Sequence, residues 1–503
     1  MNLMMLLEMA AQGFGDRVAF QNGHDTLTYA ELFRAAGTAA AELRASGAEH
    51  LAVLDVSSLA LPVGVFAAAW AGRPFVPLNY RLTRSELDAL VGQISPSRLV
   101  AERERVATLA DLSGTEGVAR ESFLSAARDA GREPLAEEWG MDPEQIAILL
   151  FTSGTTGPPK AAVIRHKHLV SYILGSVEFM SADEADATLV SVPPYHIAGM
   201  AAIASSVYSG RRIVQLPNFS AEAWLELARR ERISNAFVVP TMLARIIDVL
   251  EAEGRTQADL PHLRALSYGG GKMPQSVIEK AMRMFPGVEF ANAYGLTETS
   301  STIAILGPED HRAAMASADP AVRRRIVSVG RPLPSVEVEI RDESGARLGP
   351  HERGEIFVRG EQVSGEYLGK GSRLDANGWF PTRDGGSMDE EGYLFLEGRI
   401  DDIIVRGGEN MSPGEIEDVL LEHAAIADAA VVGMPDEQWG EKVAAVVVCK
   451  PGCSAGAPEL QQWVKDRLRS SRTPESIEFW AELPYNETGK LLRRKVRAAL
   501  MAR

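Results

Sequence analysis

The sequence predicts an α/β fold in three stretches, and three patterns predict it. Short β-branched or apolar runs alternate with helix-patterned segments from residue 50 onward. Strictly alternating strands replace them past residue 330, and a charged, Gly-rich junction after Gly398-Arg399 opens a separate tail. In the first stretch the runs 51–54, 99–101, 146–151 and 236–239 are strand candidates, and 84–93, 221–231 and 274–284 carry helical spacing. Strands alternating with helices bury both sheet faces, which favours parallel pairing. In the second stretch 336–340 alternates at period two and 354–360 reads as its neighbour, the pattern of an antiparallel meander or small barrel. The tail reads as strands 403–405, 428–433 and 443–449 with helices 413–423 and 457–469, enough for a small α+β domain.

A chain of 503 residues exceeds the ~250–300 residues at which single cores stop growing, so two or three packed units are expected. An apolar fraction of 46% and a charged fraction of 24% exclude a disordered or fibrous chain. With 52 Lys and Arg against 68 Asp and Glu, the net charge of −16 argues against general nucleic-acid binding. A local basic pocket for one polyphosphate is still compatible with it. Cys449 and Cys453 are too few for a disulfide framework or a four-ligand zinc site, and their spacing is no redox motif. They read as two thiols in a reducing compartment. No apolar stretch approaches the ~18 residues of a membrane span. Residues 1–8 lack a basic residue ahead of their apolar ones and include Glu8, so they read as a short amphipathic helix rather than a signal peptide. A cytoplasmic protein is expected.

Four motifs carry chemistry. Phe151-Thr152-Ser153-Gly154-Thr155-Thr156-Gly157-Pro158-Pro159-Lys160 follows directly on an apolar strand. Its hydroxyls, minimal side chains and terminal cation suit phosphate oxygens, although the spacing is not that of a P-loop NTPase. Asn292-Ala293-Tyr294-Gly295-Leu296-Thr297-Glu298-Thr299 sets an aromatic, a glycine, a hydroxyl and a carboxylate within five residues of one another. Such a set suits a base, a close nucleotide approach and a phosphate-bound Mg²⁺. Trp379-Phe380-Pro381-Thr382-Arg383-Asp384 and Gly398-Arg399-Ile400-Asp401-Asp402 supply a carboxylate and a guanidinium suited to ribose hydroxyls or phosphate. Leu483-Pro484-Tyr485-Asn486-Glu487-Thr488-Gly489-Lys490 ends on a Gly-Lys able to project one ammonium into a distant site.

In this order and spacing the four motifs resemble the acyl- and aryl-CoA synthetases of the adenylate-forming superfamily, whose relatives include luciferases and peptide-synthetase adenylation domains. The resemblance spans about residues 10 to 495. It implies a large N-terminal domain, 1–399, of two doubly wound sheets plus a small β-barrel subdomain. A hinge at 400–402 and a mobile α+β lid, 403–503, follow. It also implies two half-reactions: a carboxylate attacks MgATP to give acyl-AMP and pyrophosphate, then the thiol of coenzyme A takes the acyl group and AMP leaves.

Carried over position by position, Thr152, Ser153, Gly154, Thr155, Thr156, Gly157 and Lys160 would hold the β- and γ-phosphates. Gly269, Gly270 and Gly271 would pass beside adenine and acyl group, while Asn292, Ala293, Tyr294 and Gly295 would frame the base. Thr297 would touch the α-phosphate, Glu298 with Thr156 the Mg²⁺, and Asp384 with Arg399 the ribose. Lys490 matches the catalytic lysine of the first half-reaction, and Asp401 the hinge. Gly407, Gly408, Glu409, Trp439 and Arg472 would serve coenzyme A. His196, in the gate motif Pro194-Tyr195-His196-Ile197-Ala198-Gly199, would sit beside the bound carboxylate. Tyr195, His196, Met200, Val238, Val239, Met242, Gly270, Gly271, Ser300 and Ile303 would form the acyl pocket.

Three places depart from the family pattern, one of them Ser471-Arg472-Thr473-Pro474-Glu475, where many relatives carry more lysines for the phosphates of coenzyme A. Arg383 stands where a Gly before the ribose-binding Asp is usual, and Gly271 where an Ala is common. No acid stands near His196 to pair a substrate ammonium, which argues for a simple carboxylic acid. The mostly apolar pocket points to a fatty, aryl or alicyclic acid. The alternative is an acyl-AMP-forming ligase that passes its product to a carrier-protein thiol or another acceptor. A luciferase-type oxygenase shares the adenylation motifs, whereas a nucleotide-binding scaffold would predict loss of Lys490 or Glu298. The expected partners are a small carboxylic acid, ATP and CoA, with neither nucleic acid nor a membrane span, in a monomer or homodimer.

Overall fold

Two large, mainly parallel sheets form the body of the protein. The computed structural model describes residues 1–109, 111–152, 160–407, 409–486 and 489–502. The larger sheet has nine strands in the order 331–332, 301–306, 289–296, 265–269, 235–238, 187–190, 212–215, 18–22 and 25–28. The six from Glu289–Leu296 to Val18–Asn22 run parallel, and the edges are antiparallel. The second sheet has eight strands, of which Ile146–Thr152, Phe75–Pro77, His50–Leu54, Ser97–Ala101 and Thr115–Ala119 run parallel.

Helix Ala60–Ala71 explains how the two sheets share one core. Every one of its residues is buried, as expected of a helix apolar all round and enclosed on every side. One continuous core joins Val53 and Ile148 of the second sheet to Leu189, Val214 and Leu266 of the first. Helix Met4–Phe14 buries Met4, Leu6, Leu7 and Ala10 in the same core. The buried Asn2 ahead of it donates to the carbonyls of Ala69 and Gly140 at 3.3 and 2.8 Å. Helix Tyr29–Ser46 starts on a capping box between Thr28 and Glu31 and stops at Gly47 in the left-handed region.

Strands Val336–Arg341, Gly354–Gly360, Phe380–Met388 and Leu394–Arg399 form an antiparallel unit, the first two being the strands expected from sequence. Its inner face, Ile340, Ile356, Val358 and Leu394, packs on Tyr294, Ile303 and Ala304 of the large sheet. From Ile404 onward a five-stranded sheet has its own apolar faces, one under helices Pro413–Leu421 and Ala457–Lys465, the other under Arg493–Met501. Strand Ile426–Asp436 runs past the expected 428–433 because Gly440–Cys449 pairs with it as far as Asp436. Local β propensity is weak at Pro435-Asp436, so pairing decides there. Among the described residues no helix is long and apolar enough to cross a membrane.

Polar contacts tie this C-terminal sheet to the rest. Lys272 Nζ pairs with Asp418 at 2.6 Å and donates to the Gly414 carbonyl at 3.2 Å. Ser412 Oγ donates to the Glu397 carbonyl at 2.5 Å. Capping contributes within the body instead: Thr28→Ala is expected to cost about 1 kcal/mol, read as an earlier urea midpoint of the N-terminal unfolding transition with activity unchanged at low denaturant.

Candidate active site

A cleft of about 1860 Å³ opens where both large sheets, the antiparallel unit and the C-terminal sheet meet. Parallel strands present their carboxyl ends there, the usual ligand edge of open α/β sheets. Strand Ala265–Gly269 runs out into Gly270, and Glu289–Leu296 into Thr297 and Glu298; Gly270, Ala293, Gly295, Thr297 and Glu298 all line the cleft. Gly269 cannot carry a side chain because a Cβ would stand 2.2 Å from the Ala293 carbonyl.

Asp384 is the best-held charge of the site. Tyr294 donates its hydroxyl to Asp384 Oδ2 at 2.8 Å, and Arg399 Nε lies 3.1 Å from Oδ1. The other end of Arg399 donates to the Thr382 carbonyl at 2.8 Å, and Thr382 Oγ1 accepts from the Asp384 amide at 3.1 Å. Burial pushes the Asp384 carboxyl above its usual range, while Arg399 and the Tyr294 hydroxyl pull the other way. Both oxygens keep a lone pair for a further donor. Arg383, the departure noted in the sequence, has a φ of 62°, where a glycine would sit without strain. Its amide donates to Glu355 Oε1 at 2.9 Å, and its guanidinium pairs with Asp401 at 2.6 Å.

Lys490 lines the same cleft from the C-terminal side. It sits at the tip of a hairpin closed by a Tyr485–Leu491 bridge, and its amide donates to Asn486 Oδ1 at 2.8 Å. Gly489 must lack a side chain: its φ is +71°, and a Cβ would come within 2.4 Å of Thr241 Oγ1. The Gly489 carbonyl also faces Gly271, 3.8 Å from where a Cβ would stand on it. The tip is thereby seated on the N-terminal body. Burial and the charge of Arg399 lower the Lys490 ammonium below the ordinary lysine range, opposed by Asp384 and Asp402. Arg493, three residues on, is locked to Glu417 at 2.5 Å and faces Asp402 at 3.5 Å.

Glu298 is positioned by groups that no sequence motif indicated. Tyr367, on a short strand beside Lys160–Arg165, donates its hydroxyl to Glu298 Oε1. The amides of Ser364 and Gly365 donate to the Glu298 carbonyl at 2.8 and 3.2 Å. Beyond Glu298 the backbone is strained, with φ of 55° at Ser300 and 107° at Ser301. Gln362 braces it, donating to the carbonyls of Thr299 and Thr302 at 3.1 and 2.8 Å. Lys160 Nζ lies 5.9 Å from the Tyr367 ring centre. Thr152 and Lys160 pair across the base of the phosphate-loop motif; Ser153, Gly154, Thr155, Thr156 and Gly157 lie outside the described residues, as does Gly408.

Nine of the ten expected acyl residues divide into two groups, and Gly271 is exposed outside the cleft's lining. Tyr195, His196, Val239 and Gly270 line the cleft. Tyr195 stacks edge-on against Tyr80 at 5.6 Å, and His196 precedes helix Ile197–Ser209 as its N-cap residue. Met200, Val238, Ser300 and Ile303, at 0–1% exposure, lie in the packed layer, with Met242 scarcely more exposed. Asn292 is likewise buried and donates to the Ser328 carbonyl at 3.0 Å. Tyr294 reaches Asp384 rather than open space.

The residues expected to serve coenzyme A lie elsewhere on the C-terminal sheet, and those described are not among the cleft's lining. The Gly407 amide donates to the Trp439 carbonyl at 2.7 Å, and Trp439 is 45% exposed. Arg472 is engaged by Glu409 at 3.1 Å and Glu415 at 2.8 Å.

Comparison with known proteins accords with this geometry. The family model for AMP-binding enzymes matches residues 7–368, and that for the AMP-binding enzyme C-terminal domain matches 415–490. An indoleacetate–CoA ligase from Aromatoleum aromaticum is 33% identical over 94% of this chain and 92% of its own length. A fatty acid–[acyl-carrier-protein] ligase from Streptomyces coeruleorubidus is 32% identical over 94% and 91%. The o-succinylbenzoate CoA synthetase of Bacillus subtilis, solved with its acyl-adenylate intermediate, superposes with a TM-score of 0.85 at 29% identity over 98% of this chain and 97% of that one. The same synthetase has been solved with ATP and a magnesium ion. The chain belongs to the AMP-binding enzyme family and, within it, to the AMP-forming acyl-CoA synthetases.

Proposed function

We propose that this protein joins a carboxylic acid to coenzyme A through an acyl-AMP intermediate. The seating of Lys490 carries this reading: its hairpin lies on Thr241, and Lys490 lines, together with Arg399, a cleft large enough for a nucleotide and an acid. In the first half-reaction a carboxylate oxygen attacks the α-phosphorus of ATP, a P–O bond to the β-phosphate breaks, and pyrophosphate leaves. Two anions must meet for this. Lys490 offsets their repulsion in a partly dehydrated site, where one fixed cation is worth far more than in water. Thr297 contacts the α-phosphate, Asp384 and Arg399 hold the ribose, and His196 stands beside the acid.

Glu298 suits a Mg²⁺ carried in by the phosphates. Magnesium is commonly held by one or two carboxylates plus phosphate oxygens and water, and among the described residues no three His, Cys, Asp or Glu side chains converge on a cage. When bound, the ion neutralises phosphate charge as pyrophosphate departs; Tyr367 fixes the carboxylate that would hold it.

In the second half-reaction the thiol attacks the acyl carbonyl and AMP leaves. The surface carrying Gly407, Glu409 and Trp439 must then replace the Lys490 hairpin, with 400–402 as hinge between the 1–399 body and the 403–503 lid. The Arg383–Asp401 pair favours the present arrangement. A carrier-protein thiol as acceptor is the second reading, favoured by the resemblance to the Streptomyces ligase. Carboxylate-dependent pyrophosphate release, run over a panel of acids with and without coenzyme A, tests both. Thioester formation with AMP supports the first, and pyrophosphate exchange without thioester the second.

Three variants probe the roles. Lys490→Ala is expected to slow acyl-AMP formation about a hundred- to thousandfold, yet still convert supplied acyl-AMP to thioester; loss of both halves would mean the lysine is misassigned. Because its ammonium titrates below the ordinary lysine range and must be charged to act, kcat/KM for adenylation is expected to fall as pH rises through that lowered value. Lys490→Arg should flatten this alkaline limb at whatever rate it retains. Tyr367→Phe should raise the Mg²⁺ concentration for half-maximal rate about tenfold, and an unchanged Mg²⁺ titration would remove Tyr367 from the site.

A further inference from the structure

The cleft extends well beyond the reacting centre, along the face of the large sheet. Strand Ala265–Gly269 shows its length: Gly270 and Ala265 both line it, five residues apart, or about 16 Å at the rise of a strand. Its inner end is marked by Thr188, Asn235 and Ala265, each at or near the start of a strand whose other end reaches the catalytic edge. The walls between are mostly apolar, with Ala198, Ala201, Ala202 and Phe237 among them and Ser205 and Ser267 beside them. The end is not.

Arg211 lines that end. Its backbone is fixed on both sides: its amide donates to the Ser206 carbonyl, and its carbonyl accepts from the buried Tyr29 hydroxyl, both at 2.9 Å. Its side chain has no comparable partner. Among the described residues it makes no ion pair, and its buried Nε has no acceptor; Thr188 Oγ1 beside the same space is also unsatisfied. The nearest acid, Asp186, is bound to Arg264. Arg212, the next residue, already pairs with Glu231 at 3.3 Å and Gln21 at 2.6 Å. Four other arginines of the cleft have acids of their own: Arg399 has Asp384, Arg493 has Glu417, Arg383 has Asp401 and Arg497 has Glu441; Arg373, at the catalytic end, lies over the Tyr367 ring at 5.6 Å instead. An unpaired, largely enclosed guanidinium is costly unless an anion completes it. Burial depresses its pKa from the ordinary arginine value, which Asp186 opposes only in part.

We propose that Arg211, with the Thr188 hydroxyl, receives a second anionic group at the far end of the acyl substrate, so that the preferred acid is elongated, apolar in the middle and carboxylated at both ends. This rests on the ligase reading and narrows it. The apolar walls agree with the pocket composition expected from sequence, whereas the charge at the end arises from a residue no pocket motif contains.

The test compares two acid series of matched chain length, α,ω-dicarboxylic acids and their monocarboxylic counterparts, by acid-dependent pyrophosphate release. At the optimal length the wild-type kcat/KM is expected to favour the diacid at least tenfold. Arg211→Met should lower the diacid value about ten- to hundredfold, the worth of a charged hydrogen bond, without lowering the monoacid value. Arg211→Lys should keep part of the preference and also serves if the methionine variant does not fold. Preference for monoacids at every length, or an equal loss on both series, would overturn the proposal. If neither series releases pyrophosphate, the ligase reading is what has failed for these acids, and the subsite is read by calorimetry. Diacid binding by wild type that the variants weaken supports the subsite, and binding that is absent or indifferent to Arg211 removes it.

Discussion

The arrangement of the active site depends on balancing charge where water is scarce. Asp384 lies buried at the meeting of the antiparallel unit and the large sheet. It stays there because Tyr294 and Arg399 engage both of its oxygens. Lys490 comes to the same place from the other end of the chain and adds a second cation close to the first. The two cations stand among Asp384, Asp402 and Glu298, so cations and acids are gathered at the cleft floor of a chain whose overall charge is −16. Cations placed there suit a protein that handles one polyphosphate in a pocket and repels polyanions elsewhere.

Backbone geometry makes this charge cluster possible. Glycine at 489 lets the lysine hairpin lie on Thr241, and glycine at 269 lets neighbouring strands close up beneath the site. Where glycine is missing, other forces hold the strain. Arg383 keeps a left-handed backbone under its pairing with Glu355 and Asp401, and Ser300-Ser301 keep theirs under the Gln362 amide. Both strained points flank groups expected to touch nucleotide or metal, where strain is commonly stored.

The contrast between the two faces of the C-terminal sheet bears on the reaction sequence. The Lys490 hairpin faces the cleft, while Gly407, Trp439 and Arg472 are occupied with their own sheet. Among the described residues, the polar contacts that tie this sheet to the body include Lys272 with Asp418, Ser412 with Glu397 and Arg353 with Glu415.

Much of this was legible in the sequence. Alternating apolar runs and helical spacing gave the sheets, since periodicity and strand burial are local properties. The motif residues Asp384, Arg399, Glu298 and Lys490 were legible because their chemistry needs particular side chains at particular spacings. Tyr367, Gln362 and Arg211 were not. Each acts on a partner more than sixty residues away or on a cavity that no one segment builds, and each looks locally like any polar residue near a turn. Nor could spacing tell that Asn292 and Met200 are packed away while Val239 is exposed to the cleft, because which face of a strand or helix meets a cavity depends on what packs opposite. The sequence by itself determined the family, most of the elements and which polar residue types meet at the cleft. Tertiary structure alone decided which face of the C-terminal sheet meets the cleft and what stands at the cleft's far end, because both are set by surfaces that distant segments form only when packed together.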